Sequence, residues 1–235
     1  MANQLKRILL FSAGMDSVML KHLFQIKNEE CLFVSMGTIE NEMERSIIEE
    51  HYPGVLQVNL PLIDFELPNK IIPFRNAFLI LAAAQFSPYI ILGSTAGDST
   101  RDKDYTFAAL MTSLMQYVGF PPDKAPPSWE FGVRVQVEMP LKGWTKTQII
   151  RHFLDEGGNV EALRFKSASC YEEGGNCGRC RSCQRKYVAL RSAGVSGVEA
   201  WFVTNPRDFL QETLAYSERV GRVEEAEEIR ALLKN

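Results

Sequence analysis

The stretch ILLFSAGMDS, residues 8–17, determines the fold more clearly than any other part of the chain. Its first four residues are continuously apolar, as in a strand that is buried on both faces. Small and polar residues follow, and Val18, Leu20, Leu23 and Phe24 then recur at helical spacing. The segment therefore predicts a strand, a tight turn and a helix, which together open an α/β fold.

Four further apolar runs predict buried strands, and the segments between them predict helices. The strand candidates are residues 32–36, 55–58, 89–92 and 133–137, and the helix candidates lie near 40–50, 76–86, 106–118 and 146–156. Apolar strands that alternate with helices are typical of a parallel sheet with helices on both faces. We therefore predict an α/β, Rossmann-like fold, in which ligands bind beyond the carboxyl ends of the strands.

Length and composition predict one main domain with a small C-terminal addition. The chain has 235 residues, of which 46% are hydrophobic, and this is enough for one sizeable core. We expect a nucleotide-binding α/β domain over residues 1–160 and a cysteine-containing helical region over 161–235. Residues 209–233 should form a helical hairpin or pair, packed on its own body or on a second subunit.

The net charge and hydropathy exclude several classes of partner. A formal net charge of -3 gives no broad basic field, so we expect no direct nucleic-acid binding. No apolar run approaches the ~20 residues that a membrane-spanning helix needs, so we expect a soluble, cytoplasmic protein without a membrane partner. Residues 119–129 contain four prolines and predict a loop outside the sheet, with an active-site lid as one hypothesis.

The turn after the first strand has the composition of an anion-binding turn. Small residues let a ligand approach the backbone, where the first N–H groups of the helix point at it. Gly14 tolerates unusual dihedrals, and Ser12 and Ser17 offer hydroxyl donors. Asp16 would repel phosphates unless it shares a magnesium ion or caps the helix. A simple helix cap at Asp16 or Ser17 is therefore the alternative interpretation.

The cysteines are clustered in a way that predicts a metal. Cys170, Cys177, Cys180 and Cys183 follow the pattern C-x6-C-x2-C-x2-C, and tetrahedral zinc binds four thiolates. Such a site has no open position for water, so the zinc would be structural. An iron–sulfur cluster or four free thiols are the alternatives. Cys31 lies in a strand candidate, and we interpret it as a buried, inert thiol.

Several of these segments resemble the motifs of one family. The segment FSAGMDS, residues 11–17, resembles the SGGxDS motif of the PP-loop ATP pyrophosphatases. Three other segments are similar to motifs of the 7-cyano-7-deazaguanine synthase family. Residues 72–79, IPFRNAFL, resemble V-P-G-R-N-x-x-F/L, and Pro140-Leu141 with Lys146, Ile149 and Ile150 resembles P-L-x-x-x-[ST]-K-x-x-I-[IV]. The third motif, S-C-Y…C-G-x-C-x-S-C-x-x-R, resembles the segment with Ser169, Tyr171, the four cysteines and Arg185. The resemblance covers about residues 6–205 and implies an adenine nucleotide alpha hydrolase-like fold.

The resemblance also implies roles for individual residues. ATP would contact Phe11, Ser12, Ala13, Gly14, Met15, Asp16 and Ser17, with Mg2+ near Asp16, and the substrate would contact Phe74, Arg75, Asn76, Asp98, Asp104 and Phe107. Catalysis would involve Asp16, Ser17, Arg75 and Lys146, and Zn2+ would be held by the four cysteines. The residues alone leave other roles open: a helix cap for Arg75 and Asn76, a solvated loop for Asp98, Asp102 and Asp104, and core packing for Phe74 and Phe107.

The family's reaction gives the first functional hypothesis. The resemblance implies that ATP and Mg2+ adenylate the carboxylate of 7-carboxy-7-deazaguanine, that ammonia forms an amide, and that a second activation gives 7-cyano-7-deazaguanine. It also implies a homodimer. A second hypothesis is a diverged relative, carried by a phage or an antiviral defence island, that stops at the amide or joins a deazaguanine to an amine on a macromolecule with a protein partner. A non-catalytic nucleotide- and zinc-binding subunit is the third.

The chain departs from the family's motifs at positions that bear on the substrate. Ala13 and Phe74 stand where the motifs have glycine. We expect Ala13 to be tolerated only if its φ is below zero, and Phe74 to change the volume of the pocket. Lys103-Asp104-Tyr105 replaces the family's Y-P-D-C stretch, and the helical tail beyond Pro206 exceeds the usual ending. A changed pocket predicts a changed acceptor.

Overall fold

Five parallel strands form the centre of the molecule. The computed structural model describes residues 7–98, 100–118, 135–170, 172 and 175–234. The strands are β1 (Ile8–Leu10), β2 (Cys31–Ser35), β3 (Leu56–Asn59), β4 (Tyr89–Leu92) and β5 (Gln136–Glu138). All the strand pairs are parallel, in the order β3-β2-β1-β4-β5. The predicted α/β, Rossmann-like class is confirmed.

Helices occupy the predicted segments, and a short helix at Val160–Phe165 was not predicted. The helices are α1 (Met15–Leu23), α2 (Ile39–His51), α3 (Arg75–Ala83), α4 (Tyr105–Val118), α5 (Lys146–Asp155), α6 (Val160–Phe165), α7 (Arg181–Ser192), α8 (Leu210–Arg219) and α9 (Val223–Lys234). None of the helices in the described ranges is both long and apolar enough to cross a lipid bilayer. The proline-rich segment 119–129 lies outside the described residues, so its interpretation as a lid stays a prediction.

The last strand begins later than its apolar run predicted. Residues 133–137 were the candidate, and β5 instead covers Gln136–Glu138, with residues 133 and 134 outside the described part. Pairing with β4 sets these bounds, because Tyr89 lies opposite Gln136 and Ile91 lies opposite Glu138. A strand extends as far as its hydrogen-bonding partner, whatever the length of the apolar run.

Alternate residues along β1 and the residue after it pack in two different hydrophobic cores. Ile8 and Leu10 pack with α3 and α4 on one face of the sheet, and Leu9 and Phe11 pack with α1, α5 and α7 on the other. This period of two follows from the pleat of a strand. Because both faces are covered, every residue of β1 is buried, which explains the continuous apolar run.

The direction of the chain across the sheet reverses at β1. The strands β2 and β3 follow on one side of β1, whereas β4 and β5 lie on the other side. The loops that leave β1 and β4 therefore run to opposite faces and leave a crevice at the carboxyl ends of the strands. Ligands of open parallel sheets bind at such a switch point.

The C-terminal tail packs on its own chain. Helices α8 and α9 form the predicted hairpin, and Leu210 and Ile229 are buried in the same cluster as Tyr187 of α7. This cluster joins side chains from both sides of residue 160, the predicted domain boundary. The division into two domains stays a prediction.

Two residues that replace family glycines adopt left-handed backbone conformations. The expected negative φ of Ala13 is wrong, because its φ is 50°. Its carbonyl oxygen accepts a hydrogen bond from the Ala168 amide at 2.8 Å, and its methyl group is buried, so surrounding contacts hold this conformation. Phe74 has φ 58° immediately before α3, and it is 78% exposed. Little packing compensates for the strain at Phe74.

The substitution Phe74→Gly should therefore stabilise the protein. It removes a left-handed penalty of about 1–2 kcal/mol, and it costs about 0.5–1 kcal/mol through the greater freedom of the unfolded chain. We expect the free energy of unfolding in urea to rise by up to about 1 kcal/mol. Phe74→Ala is the matched control, since it keeps the Cβ atom and the strain. Equal stabilities of the two variants would contradict this explanation.

Candidate functional site

A cavity of about 510 Å³ opens at the carboxyl ends of β1, β2 and β4. Its wall includes the turn after β1, the end of β2 around Met36, and Arg75 and Asn76 at the start of α3. This volume is within the range of small-molecule sites. The cavity is therefore the candidate ligand site that the sheet topology predicts.

The turn after β1 presents free backbone amides to the cavity. The first intrahelical hydrogen bond of α1 runs from the Val18 amide to the Gly14 carbonyl at 3.0 Å. The amides of residues 15–17 thus have no acceptor within the helix. The Gly14 amide donates to Ser12 Oγ at 3.3 Å, and the Ser17 hydroxyl donates to the Gly14 carbonyl at 2.8 Å. Free amides at the positive end of a helix dipole are a general anion site.

Gly14 is needed for space rather than for an unusual dihedral angle. Its φ of -63° is ordinary, contrary to the conformational role expected for it. A Cβ atom there would lie 3.2 Å from Ser12 Oγ, which is closer than most such contacts. The absence of a side chain lets Ser12 fold back over the turn, and its hydroxyl hydrogen stays available to a ligand.

An ion pair stands beside these amides. Lys146 Nζ contacts both carboxylate oxygens of Asp16. Asp16 lies in the first turn of α1, and Lys146 is the first residue of α5, which Thr145 caps by accepting from the Gln148 amide at 3.2 Å. The pair brings two helix N-termini to one wall of the cavity. It places one cation and one carboxylate side by side on this wall.

Asn76 organises a neighbouring loop instead of facing a ligand freely. Its side-chain amide donates to the Asp102 carboxylate at 2.8 Å and to the Asp102 carbonyl at 3.2 Å. Asn76 is buried, whereas Arg75, one residue earlier, is exposed on the cavity wall. Of Arg75 and Asn76, which were both predicted to contact the substrate, only Arg75 has a side chain that is exposed to a ligand.

Asp98 is a charged carboxylate on the opposite wall. It accepts a hydrogen bond from the Thr95 amide at 2.9 Å and lies 3.5 Å from Lys103 Nζ. Burial alone would raise the pKa of Asp98, but Lys103, Lys146 and Arg185 lower it, and the net shift is downward. The carboxylate is therefore ionised at neutral pH and is a second candidate ligand for a cation.

Several predicted contact residues lie elsewhere. Phe74, Asp104, Phe107 and Ala13 are not on the cavity wall. Asp104 caps α4, because its Oδ1 accepts from the Phe107 amide at 2.7 Å, and Phe107 packs against the sheet. Phe11 and Met15 contribute to the wall, but their side chains are buried, and the Phe11 ring packs edge-on against another aromatic ring. The core alternative describes Phe107, whereas the capping role of Asp104 is neither of the roles that the sequence predicted for it.

Lys186 is a cavity residue that the sequence patterns did not identify. It is 1% exposed, and its Nζ donates to Ser169 Oγ at 3.0 Å. Burial lowers the pKa of Lys186 to about 8. Its signal was present in the cysteine motif, because the basic position of C-x-x-R, counted from Cys183, falls on Lys186 rather than on Arg185.

Glu44 is a second cavity residue that the sequence analysis did not identify, and it has no signal in the sequence. It is a buried carboxylate on the wall near the end of β2, and it accepts from the side-chain amide of Asn41 at 2.8 Å. Asn41 in turn accepts from the Met36 amide at 2.7 Å. In the sequence, both residues look like the polar positions of an amphipathic helix.

The four clustered cysteines have the geometry of a tetrahedral metal site. Their sulfur atoms all lie within 4.8 Å of one another. The Cys177–Cys183 and Cys170–Cys180 sulfur distances are both 3.9 Å. Tetrahedral zinc with Zn–S bonds of about 2.3 Å requires sulfur separations of about 3.8 Å. The donor set therefore fits zinc, and an iron–sulfur cluster uses the same four donors.

Local hydrogen bonds favour the thiolate form at part of the cluster. The amides of Cys177 and Cys180 donate to Cys170 and Cys177 sulfur atoms, each at 3.3 Å. Hydrogen bonding from Cys183 lowers the pKa of Cys180 to about 5. Burial raises the pKa of Cys170, and the hydrogen bond to Cys180 raises the pKa of Cys183.

Cys31 is fully buried, as predicted, and burial raises its pKa to about 12.

The segment that leads into the cysteine cluster, residues 168–170, is joined to the turn after β1, residues 12–17. We name these the metal segment and the phosphate turn, after the ligands predicted for them. The Ala168 amide donates to the Ala13 carbonyl at 2.8 Å, and Gly14 and Ala168 form an isolated parallel bridge. Ala168 stands two residues before Cys170. An ion held by the cysteines would therefore also fix the position of the turn.

Comparison with known proteins identifies the family. The family model described as queuosine biosynthesis protein QueC matches residues 34–194, more than half of the chain. The chain belongs to the QueC family. The matched region contains Arg75, Lys146 and the four cysteines, and it begins after the phosphate turn.

Individual relatives extend this comparison. The 7-cyano-7-deazaguanine synthase of Methanosphaerula palustris is 31% identical over 142 residues, which cover 56% of this chain and 57% of that protein. The synthase of Chlorobium luteolum is 27% identical over 228 residues, which cover 81% of this chain and 94% of that protein. The match thus spans little more than half the length of the first relative and nearly all of the second.

The glycine between the second and third cysteines provides a test of the metal site. Gly178 has φ +83°, and a Cβ atom there would lie 1.8 Å from the Thr204 carbonyl oxygen. We expect Gly178→Ala to distort the cysteine loop, lower the free energy of unfolding by more than about 1 kcal/mol, and reduce the zinc measured by elemental mass spectrometry below one equivalent.

Gly175→Ala is the matched control for that variant. Gly175 also has a positive φ, +67°, but a Cβ atom there meets nothing within 4 Å. Its substitution carries the same backbone strain without the clash, so zinc content should stay at one equivalent. Equal loss of zinc from both variants would refute this role of Gly178, and iron in place of zinc would contradict the choice of zinc as the metal.

Proposed function

We propose that this protein uses ATP and Mg2+ to adenylate the carboxylate of 7-carboxy-7-deazaguanine and, with ammonia, converts it through an amide to 7-cyano-7-deazaguanine. The observation that carries this proposal is the group of free α1 amides beside the Asp16–Lys146 pair, on the wall of a cavity of about 510 Å³. Relatives named as 7-cyano-7-deazaguanine synthases support the choice of substrate.

The first step follows from the weakness of a carboxylate as an electrophile. Its charge is delocalised, and oxide is a poor leaving group. Attack of a carboxylate oxygen on the α-phosphorus of ATP forms an acyl adenylate and expels pyrophosphate. The amides of residues 15–17 and the Ser12 hydroxyl would hold the β- and γ-phosphates, while Lys146 would turn from Asp16 to the developing negative charge.

A magnesium ion would neutralise the phosphates and orient the leaving group. Asp16 and Asp98 are the carboxylates on the cavity wall that fit this role, since Mg2+ binds through one or two carboxylates together with substrate phosphates. Asp98 is ionised in its surroundings, as the downward shift of its pKa indicates. Release of Lys146 from Asp16 on ATP binding would make both carboxylate oxygens available.

The second step replaces AMP by nitrogen. Ammonia attacks the acyl carbon, AMP leaves, and loss of a proton gives the amide. A second adenylation, at the amide oxygen, would make that oxygen a leaving group, and elimination of AMP with loss of the amide protons gives the nitrile. The cationic Arg75 and Lys186 on the wall could orient the carboxylate before the reaction. Zinc would stabilise the wall that carries Ser169 and Lys186 and take no part in the chemistry.

Mass spectrometry of a defined reaction tests this proposal. We expect the protein, with ATP, Mg2+, ammonium and 7-carboxy-7-deazaguanine, to form the nitrile and to release AMP and pyrophosphate. Lys146→Gln should lower kcat about 100-fold or more, because it removes one cation from the transition state. Lys234→Gln removes an equally charged side chain at the exposed end of α9 and should leave kcat unchanged.

The outcomes separate the alternatives. An amide as the final product would identify the diverged enzyme, as would transfer of the deazaguanine to an added macromolecular amine. If no AMP forms with the deazapurine substrate, both enzymatic hypotheses are wrong, and the non-catalytic binding subunit is the hypothesis that remains. Equal activity of Lys146→Gln and Lys234→Gln would refute the assigned role of the Asp16–Lys146 pair.

A further inference from the structure

A second concave surface lies between α7 and α8, and arginines dominate its lining. Its volume is about 470 Å³. We name it the arginine pocket after the five residues Arg179, Arg181, Arg185, Arg219 and Arg222. Two carboxylates, Glu212 and Glu225, also line it, so its formal charge is positive. The proposed reaction uses none of the arginines on α8 or after it.

The floor of the arginine pocket holds more positive than negative charge. Arg185 Nε lies 2.9 Å from one Glu225 oxygen, and Arg222 Nη1 lies 3.6 Å from the other. The three side chains are only 14–19% exposed, so two guanidinium groups share one sheltered carboxylate. Arg222 Nε is buried and has no hydrogen-bond partner among the described residues. Sheltered charge of this kind needs a compensating anion.

The rim supplies two further guanidinium groups, which lie against one aromatic ring. The Arg181 guanidinium carbon lies 3.8 Å from the centre of the Tyr216 ring, and that of Arg219 lies 5.3 Å from the same ring. Within the described ranges, neither arginine forms an ion pair with a carboxylate. Stacking on an aromatic ring holds the guanidinium plane and leaves its N–H edge free for a bidentate acceptor.

We propose that the arginine pocket is a binding site for a phosphorylated ligand, separate from the phosphate turn. Phosphate oxygens match the bidentate geometry of arginine, and clusters of arginines are a common mode of phosphate recognition. The pocket is a concavity of about 470 Å³ and the chain carries a net charge of -3, which favours a small phosphorylated molecule over a nucleic-acid backbone.

The position of the arginine pocket relates it to the first cavity. Arg185 lines both, and its Nη2 reaches the Gly97 carbonyl at 3.5 Å, next to Asp98. A phosphorylated molecule in the pocket would draw on the same guanidinium that lowers the pKa of Asp98. Binding at the two sites should therefore be coupled through Arg185 and Glu225.

Calorimetric titration with inorganic pyrophosphate tests this site. Pyrophosphate can also occupy the phosphate turn, so the informative comparison is between variants. We expect Arg181→Gln/Arg219→Gln to lose one of two binding events, or to weaken it at least tenfold. Arg230→Gln is the matched control, because Arg230 is an exposed arginine that pairs with Glu218 outside the pocket. It should bind as the unmodified protein does.

Two further arms make the result decisive. Titration with ATP and with inorganic phosphate distinguishes a nucleotide from free phosphate as the source of the phosphate group. Arg181→Lys keeps the positive charge but loses the two parallel N–H donors of the guanidinium group. This single variant should weaken pyrophosphate binding, and it keeps the test open if the double variant fails to fold. Unchanged pyrophosphate binding in both variants would overturn the proposal. Tighter binding of a glutamate-rich peptide than of every phosphate compound would overturn it as well, in favour of an acidic protein partner.

Discussion

The hydrogen bond from the Ala168 amide to the Ala13 carbonyl is the constraint on which the rest of the site depends. It joins the turn after β1 to the segment that enters the cysteine cluster, so one contact fixes both the phosphate turn and the far wall of the cavity. Ala13 adopts a left-handed conformation to make it, at a cost of about 1–2 kcal/mol. The segment that enters the cysteine cluster, distant in sequence, is thereby part of the candidate ligand site.

The fold could be predicted because its main signals are local. A sheet buried on both faces requires continuous apolar strands, and four of the five strand candidates lie within a residue or two of the observed strands. The fifth was displaced because pairing with β4, a contact across the sheet, sets its bounds. The cysteine spacing was equally local, since three of the four ligands fall within seven residues. Resemblance to the family's motifs then supplied the substrate class.

The rest of the site could not be predicted because it depends on tertiary contacts. Glu44 looks like an ordinary charged position of an amphipathic helix, and only packing turns it toward the cavity. Asp104 and Phe107 were expected to contact the substrate, yet Asp104 caps a helix and Phe107 packs against the core. The positive φ angles of Ala13 and Phe74 could not be predicted either, because φ depends on the contacts that a residue makes after folding.

The central claim is that the free amides at the start of α1 bind the phosphates of ATP. Hydrogen–deuterium exchange of the zinc-loaded protein, with and without a non-hydrolysable ATP analogue and Mg2+, tests it at the amides concerned. The account predicts that the peptide covering residues 12–18 becomes strongly protected when the analogue binds. Tight binding of the analogue with unchanged exchange in this peptide, and with protection confined to other segments, would contradict it.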